Sequence, residues 1–533
     1  MNRLLVPIVA LLTICQTGLE AKVPRVLILL TVEELRTDLL EELRPHLSKE
    51  GLGMLLDRGA TYTHIYSPLL HPDRSAAEAM IHTGTTPLYN GIPASYPTQR
   101  VKGGGVTSHR SAFQDDAYIG FATTERRSPK ALTAPSISDK LKSGTKGKAV
   151  VVSIAPHSEE AIIAGGQNGD IVLWLDDFTA KWVSSTYYKG GYPWYVDKYN
   201  SRSQSPGSSI SNIRWEPLYK AEADKRYVAH LPAGSEGESV NFNHNFGRSN
   251  AGIAQYKTSG LVNEAIADLT SVILESSTLG ADETPDLLSI HLYAGGYLES
   301  DEEITPEILD NYYRLDRAVA QIIREAEKKA GAGNVAVALC GNGVSKEYYT
   351  SLPAVGTFYM DRCKALLNMY LMAKFGRQNW VREITPDGQI YFDRELVEKS
   401  KIDLADLQDK TADFMLEFSG VAYAVPDHSL RKFPFAPDST PELLSCLNKG
   451  THAHRGDVLF EILPGWRIQQ DQNHPIQPHL QYTMVQTAAP FILYTGEAKG
   501  ESIETPRDLR TLSTDICHVL RIRPPTPGLK PNP

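Results

Sequence analysis

The feature that most restricts the fold is a continuous apolar run, RVLILLTV, at residues 25–32. A strand that is apolar on both faces is typical of a parallel sheet that helices cover on both sides. Helical patterns separate this run from later ones, and the longest helical pattern covers residues 306–329. The later strand-like runs cover residues 149–154, 286–292, 334–339 and 490–494. Strands that alternate with helices predict an α/β fold with a mostly parallel, doubly wound central sheet flanked by helices.

Two stretches of the 533-residue chain break this alternation. Residues 165–259 are rich in Trp, Tyr, Gly, Ser and Asn, and residues 349–477 mix helices with short aromatic-rich strands. Both are interpreted as aromatic-rich insertions at an edge of the sheet. The sequence therefore predicts a single α/β domain over residues 22–525 with two insertions, followed by an irregular tail at residues 526–533.

The first 21 residues have the pattern of a secretory signal peptide. Arg3 supplies the positive charge, and the apolar stretch at residues 4–14 is too short to span a bilayer. Cleavage is expected after Ala21. The pattern predicts export, with the periplasm as the expected destination. Secretion is one alternative, and lipidation at Cys15 within the segment LTIC is the other.

Charge and cysteine content restrict the partners. The net charge of −9 comes from acidic and basic residues that are mixed along the chain, which argues against a nucleic-acid partner. A membrane partner is expected only if Cys15 carries a lipid. None of the four remaining cysteines belongs to a CxxC pair, so the sequence has no metal-thiolate or redox motif of that kind. They are Cys340, Cys363, Cys446 and Cys517. One disulfide, such as Cys363 with Cys446, is compatible with an oxidising compartment. Buried free thiols are the alternative.

Several segments together resemble the alkaline phosphatase superfamily, and within it the monomeric PafA-type bacterial phosphatases, which have a type I phosphodiesterase/nucleotide pyrophosphatase-like fold. The segments are VEELRTD (32–38), HTG (82–84), SPKALTAPSISDKLK (128–142), the stretches 161–188, 285–301 and 312–323, GNVAVALCGNGVS (333–345) and PFILYTG (490–496). The resemblance implies two zinc ions held by Asp and His side chains. It also implies a Thr or Ser nucleophile at the N-terminus of a helix.

Most of the metal positions that the resemblance implies carry residues that bind zinc poorly. These positions fall on Glu33, Gly296, Ser300, Gly341, Asn342 and His479. Only Glu33 and His479 keep side chains suited to zinc, which prefers imidazole nitrogens and carboxylate oxygens. The segment GNG at residues 341–343 is a good turn sequence, because Gly and Asn accept positive φ angles.

The nucleophile and phosphate-binding positions are also substituted. The nucleophile position falls on Arg74, and Ser75 is a weak alternative nucleophile one residue away. The segment from Ser75 to Glu78 also has the spacing of a helix capping box, which is the preferred interpretation of that serine. The phosphate-pocket positions fall on Ser95, His157 and Glu159, and a carboxylate there would repel a phosphate dianion.

The leading hypothesis is a catalytically inactive member of the superfamily: an exported binding, scaffold or regulatory protein with no cofactor and an unidentified protein or small-molecule partner. The alternative is an active phosphate-ester hydrolase with a relocated or reduced zinc site. Its nucleophile would be Ser75, and its candidate ligands are Glu33, His71, Asp73 and His479. A third hypothesis is a glycan-binding module that uses the aromatic segment WYVDKYN at residues 194–200, whose aromatic residues otherwise pack within the insertion.

Overall fold

The structure is a computed structural model of the chain. The residues that it describes are 22–69, 72–101, 105–107, 110–188, 192–231, 240–297, 304–343, 356–430, 448–450, 454–463, 466–471, 488–496 and 500–526. In these ranges no helix combines the length and the apolar character that a membrane crossing requires. The signal-peptide prediction and Cys15 fall outside the described residues.

The strands of the structure have the following bounds. They are Val26–Glu33 (β1), Ala60–Tyr66 (β2), Gln99–Arg100 (β3), Val106–Thr107 (β4), Gly120–Phe121 (β5), Val151–Ala155 (β6), Ile171–Leu175 (β7), Trp182–Ser185 (β8), Arg214–Trp215 (β9), His244–Asn245 (β10), Asp286–Tyr293 (β11), Val335–Gly341 (β12), Gly356–Tyr359 (β13), Val381–Thr385 (β14), Gln389–Phe392 (β15), Val421–Pro426 (β16), Val458–Ile462 (β17), Trp466–Gln469 (β18), Ala489–Tyr494 (β19), Glu501–Ile503 (β20) and Arg507–Asp508 (β21). Each of the five strand-like runs in the sequence is a strand.

The α-helices have the following bounds. They are Thr37–Leu43 (α1), Leu52–Arg58 (α2), Arg74–Thr83 (α3), Pro87–Asn90 (α4), Ile137–Gly144 (α5), Ser158–Gly165 (α6), Trp194–Asn200 (α7), Pro206–Ser209 (α8), Ala223–Arg226 (α9), Asn250–Lys257 (α10), Gly260–Ser276 (α11), Pro306–Ala330 (α12), Met360–Phe375 (α13), Arg394–Lys399 (α14), Leu404–Met415 (α15), Asp427–Leu430 (α16) and Leu512–Val519 (α17). The predicted long helix at 306–329 corresponds to α12. It begins after Thr305, whose side chain caps the backbone N–H of Ile308, and it has Pro306 in its first turn.

The central sheet has 11 strands, and its main path runs in the order β20-β2-β19-β12-β1-β11-β6-β7-β8-β5. The five strands from β12 to β7 are parallel to one another. Strand β19 pairs antiparallel with β12, and β8 pairs antiparallel with β7. The prediction of an α/β fold with a mostly parallel central sheet flanked by helices is confirmed.

Strand β1 explains why helices cover both faces of the sheet. Successive side chains of a strand point to opposite faces. One set packs with α11 and α12 in one core: Val26, Ile28, Leu30 and Val32. The other set, Leu27 and Leu29, packs with α3, α5 and α17 in a second core. All six side chains are fully buried, so packed apolar side chains cover both faces of β1.

The two predicted insertions differ from each other. The stretch 165–259 adds β7 and β8 to the central sheet itself, and β7 is parallel to β6. The stretch 349–477 forms a separate four-stranded sheet, in the order β14-β15-β17-β16, and has its own hydrophobic core. We call this part the inserted subdomain. The division of residues 22–525 into one domain with insertions stays a prediction.

The cysteines that the structure describes are buried thiols. Cys340 lies in β12, Cys363 in α13 and Cys517 in α17, and none of the three forms a disulfide. Burial raises the pKa of the Cys363 thiol to about 12. Cys446, the suggested disulfide partner of Cys363, lies outside the described residues.

Candidate functional site

The carboxyl ends of three neighbouring parallel strands meet at one edge of the central sheet. Glu33 ends β1 and lies opposite Tyr293 of β11, and Val32 lies opposite Gly341 of β12. Helices α3 and α6 pack against each other beside this edge, where Ser75 Oγ donates a hydrogen bond to Glu160 Oε1 at 2.8 Å. Because open α/β sheets bind ligands outside the carboxyl ends of their strands, this edge is the candidate functional site.

A buried carboxylate lies between two histidines in this site. Glu78 Oε2 is 3.2 Å from Nδ1 of His291, and its Oε1 is 3.1 Å from Nε2 of His82. The hydroxyl of Thr31, opposite His291 in the neighbouring strand, donates to Glu78 Oε1 at 2.9 Å. Glu78 and His82 have no exposed surface and His291 has almost none. This pairing ties α3 to the middle of the sheet.

A second ion pair, of the partly exposed Arg74 with the buried Glu160, joins the starts of α3 and α6. The Nε atom of Arg74 lies 3.2 Å from Glu160 Oε1, the oxygen that also accepts the Ser75 hydroxyl. The Nε2 atom of His291 lies 3.6 Å from Glu33 Oε2. We call Glu33, Arg74, Glu78, Glu160 and His291 the charge cluster. Its members are two cationic side chains and three carboxylates, so the charges are largely compensated within the chain.

The pKa values of the charge cluster follow from this pairing. Burial alone would lower the pKa of His291, but the Glu78 and Glu33 carboxylates raise it to about 10. Burial alone would raise the pKa of Glu78, but His291 and His82 lower it to about 2. The pKa of Glu160 is raised by burial, against the opposing effect of Arg74. His291 is therefore a cation at neutral pH and its partner Glu78 is an anion.

The predicted capping box at the start of α3 is wrong. The N-cap residue is Asp73, whose Oδ1 accepts from the backbone N–H of Ser75 at 2.8 Å. Helix α3 begins at Arg74, so the carboxylate of Glu78 lies beyond the first turn and faces the sheet instead of the backbone of the cap. Glu78 instead forms an ion pair with His291, and this tertiary contact replaces the predicted capping role. Asp73, a weak candidate ligand, lies in the helix cap.

At the positions that the resemblance implies for zinc, the described residues offer one carboxylate and no imidazole. Glu33 supplies a carboxylate, but it lies beside His291. Gly341 has no room for a larger side chain, because a Cβ there would lie 2.9 Å from the Leu35 oxygen and from Ala489 Cβ. The backbone N–H of Asn342 donates to the Val32 oxygen at 3.2 Å. Among the described residues, no three His, Cys, Asp or Glu side chains are arranged to hold a metal ion.

A buried carboxylate fills the space beside Gly296. Glu34 has a φ angle of 60°, and its Oε2 accepts the Gly296 N–H at 3.3 Å. A Cβ on the preceding Gly295 would lie 2.1 Å from that oxygen, so only glycine fits there. The other positions named from the sequence, His71, Ser300 and His479, lie outside the described residues. The convergence of Glu33, His71, Asp73 and His479 therefore stays a prediction.

The three phosphate-pocket positions lie close to the charge cluster. Ser95 donates to Asp73 Oδ1 at 2.9 Å, and its Oγ is 2.8 Å from that of Ser75. His157 is the N-cap residue of α6, and burial together with Arg74 lowers its pKa well below the ordinary value. Glu159 is buried and accepts from the Ser111 hydroxyl at 2.5 Å. A neutral imidazole and a carboxylate form a poor clamp for a phosphate dianion.

Sequence reasoning missed three members of the site. His291 is the one imidazole in the apolar run DLLSIHL, and a polar residue in a strand that is buried on both faces is the signal that could have identified it. Glu160 and Glu34 had no comparable signal, since each follows another glutamate in a segment that looks like an ordinary helix start. The aromatic segment 194–200 forms α7, in which Tyr195 and Tyr199 are buried.

Comparisons with known proteins agree with the fold. A family model described as "Type I phosphodiesterase / nucleotide pyrophosphatase" matches residues 27–488. The alkaline phosphatase PafA of Elizabethkingia meningoseptica is 23% identical over 414 residues, which cover 72% of each chain. The alkaline phosphatase PhoV of Synechococcus elongatus is 23% identical over 464 residues, 83% of this chain and 80% of that protein. The crystal structure of wild-type alkaline phosphatase PafA superimposes with a TM-score of 0.75 at 20% identity, covering 94% of this chain and 96% of that chain. The resemblance found in the sequence is confirmed.

Proposed function

Because the chain belongs to the type I phosphodiesterase / nucleotide pyrophosphatase family, we propose that it is a member without phosphomonoester hydrolysis. Its function is that of an exported protein that binds a small molecule or a protein partner, and it needs no zinc. The observation that carries this proposal is that Arg74, on which the resemblance places the nucleophile position, pairs with the buried Glu160 at 3.2 Å. A guanidinium group stays protonated and cannot attack phosphorus.

The charge cluster supports the same proposal. In a zinc hydrolase, metal ions compensate the carboxylates of the site and stabilise the phosphoryl group. In this chain Arg74 and His291 compensate Glu160 and Glu78, and the described family positions do not fit zinc. Glu33 and Glu159 add negative charge nearby, which disfavours a phosphate dianion.

The proposal predicts a metal-poor and inactive protein. We expect the purified mature chain to contain far less than one zinc ion per molecule by plasma mass spectrometry, even after incubation with zinc and dialysis. We also expect no hydrolysis of p-nitrophenyl phosphate above the buffer rate, because the described residues of the site supply neither a metal-activated nucleophile nor a cationic phosphate clamp. Alkaline phosphatase PafA, treated in parallel, serves as the positive control.

One result would overturn this proposal: stoichiometric zinc together with hydrolysis.

The alternative of a relocated site has one specific observation in its favour. The Ser75 hydroxyl donates to Glu160 at 2.8 Å, and burial raises the pKa of that carboxyl, as a general base requires. Against it, Ser75 is fully buried. Ser75→Ala should abolish any hydrolysis under the alternative, whereas Ser143→Ala, at an exposed serine of α5, should not.

The proposal includes export, which the first 21 residues support. When the chain is expressed with its own leader in a Gram-negative host, we expect a periplasmic product whose intact mass corresponds to a start at Lys22. A lipid-modified product that is lost in Cys15→Ala would instead establish the lipoprotein alternative. A full-length chain that keeps Met1 and stays in the cytoplasmic fraction would contradict export.

A further inference from the structure

A cleft of about 350 Å³ lies between the central domain and the inserted subdomain. On one side it is lined by the cap of α3 and by residues 93–98, and on the other by residues 385–387, Lys449 and Glu461. Small-molecule sites have volumes of roughly 300–1,000 Å³ and often lie at such junctions. The lining includes Asp73, which precedes Arg74 of the charge cluster in the chain.

The two walls of the cleft are held together by partly buried polar contacts. Arg100, next to the 93–98 segment, pairs with the buried Asp457 of the inserted subdomain at 2.6 Å and stacks on the ring of Tyr391. The backbone N–H of Leu88 donates to Asn448 Oδ1 at 3.2 Å across the same junction. Walls that are fixed before binding reduce the ordering cost for a ligand.

One part of the lining is apolar and aromatic. It consists of Leu69, Pro93, Ala94, Pro97 and Pro386, together with Tyr96. Tyr96 is 42% exposed, and among the described residues no arginine or lysine stacks on its ring. An accessible aromatic face attracts an organic cation through the cation–π interaction.

The charged part of the lining has an excess of negative charge. Lys449 pairs with Glu461 at 2.8 Å, so these two charges compensate each other. Asp387 accepts from the neutral side chains of Thr385 and Gln389. The hydrogen bonds of Asp73 all end on Oδ1. Burial raises the pKa of the Asp73 carboxyl, and the neighbouring Arg74 opposes this rise. Within the described residues neither Asp73 nor Asp387 forms an ion pair, so the lining residues carry two carboxylates beyond the Lys449–Glu461 pair.

We infer that this cleft binds a small organic cation, in which an ammonium or guanidinium group is attached to an apolar body. The charged group interacts with Asp73 and Asp387, and the apolar body contacts Tyr96 and the prolines. The inference rests on the proposed function, since it names the ligand class of a binding protein. A phosphate or carboxylate ligand is disfavoured by the same two aspartates.

The test uses three probes of one shape: phenethylamine, the neutral phenethyl alcohol and the anionic 3-phenylpropanoate. Isothermal titration calorimetry of the mature chain at neutral pH should give saturable binding of the amine, at least about tenfold weaker binding of the alcohol and no binding of the anion. Asp73→Asn and Asp387→Asn should each raise the Kd of the amine about tenfold. Tyr96→Ala should raise it about fivefold.

The variants keep this test decisive. Asn caps a helix as well as Asp does, so Asp73→Asn removes charge and keeps the cap, while Asp387 is exposed. Asp413→Asn, at an exposed residue of α15, should leave the Kd unchanged. Equal affinity for all three probes, no binding of the amine by folded protein, or a Kd unaffected at both aspartates would overturn the inference. Zinc-dependent hydrolysis would overturn the proposed function instead. The calorimetry measures binding and not hydrolysis, so the two failures are distinguishable.

Discussion

Glu78→Gln should lower the free energy of unfolding by about 3–5 kcal/mol, the largest effect that we expect from a single substitution in the site. The substitution keeps the shape of the side chain but removes the charge that His291 needs, and His291 is 3% exposed. Its Nδ1 atom lies 3.2 Å from Glu78 Oε2. The protein must then keep an uncompensated buried cation or release the proton at a cost. Chemical denaturation at pH 6 measures the loss.

The pH dependence of this loss is a control for its cause. The folded pKa of His291, about 10, is above its ordinary value of 6.5, so its contribution is complete below pH 6.5 and is lost as the pH rises towards 10. The folded pKa of Glu78, about 2, is below 4.5, so its contribution is complete above pH 4.5 and is lost as the pH falls towards 2. The difference between wild type and Glu78→Gln should therefore be largest between pH 4.5 and 6.5.

Two further variants separate charge pairing from packing. Glu275→Gln, at an exposed residue of α11, should change the stability by less than about 0.5 kcal/mol. The double variant Glu78→Gln with His291→Gln should lose less than the sum of the single losses, since neither member of this pair is then left charged without the other. A Glu78→Gln protein with wild-type stability across this pH range would contradict the ion pair.

Arg74→Met should lower the free energy of unfolding by about 3 kcal/mol without producing hydrolysis. Methionine keeps much of the length of the side chain, but Glu160 loses its counter-charge 3.2 Å away in a fully buried position. Because burial already raises the pKa of Glu160, the carboxyl can take up a proton, and the loss should shrink as the pH is lowered. Thermal and denaturant unfolding at neutral and acidic pH measure both effects.

The matched controls keep the charge or move the substitution to the surface. Arg74→Lys should retain most of the stability, and Arg324→Met, on the exposed side of α12, should change it little. Wild-type stability of Arg74→Met at all pH values would show that Arg74 does not compensate Glu160. Zinc-dependent hydrolysis by Arg74→Met would mean that the arginine blocks an otherwise intact hydrolase site, contrary to the proposed function.

The elements of the fold that depend on local pattern could be predicted from the sequence. The run at residues 25–32 became β1 because six of its eight residues are apolar and fall on both faces of the strand. The amphipathic stretch at 306–329 became α12 because its cap and apolar stripe are local features. The direction of β19 could not be predicted. The composition of a short apolar run does not show the direction in which it pairs, and the antiparallel pairing of β19 with β12 is a tertiary contact.

The site divides along a similar line. Its position at the end of β1 and β12 followed from the resemblance, and so did the prediction that Gly296 and Gly341 fall at metal positions. The role of Glu78 was misjudged, because the spacing from Ser75 satisfies a capping pattern while the real partner, His291, is 213 residues away in the chain. Ion pairs over such separations leave no local pattern in a sequence.

The sequence by itself therefore determined the α/β architecture, the family resemblance and the identity of the residues at the carboxyl edge, because apolar periodicity and motif order are properties of the chain alone. The tertiary structure alone decided which charges meet: Arg74 with Glu160, Glu78 with His291, and a cleft at Asp73 that is completed by Asp387. The physical reason is that burial makes the energy of a charge depend on its nearest neighbours in space, and folding brings those neighbours together.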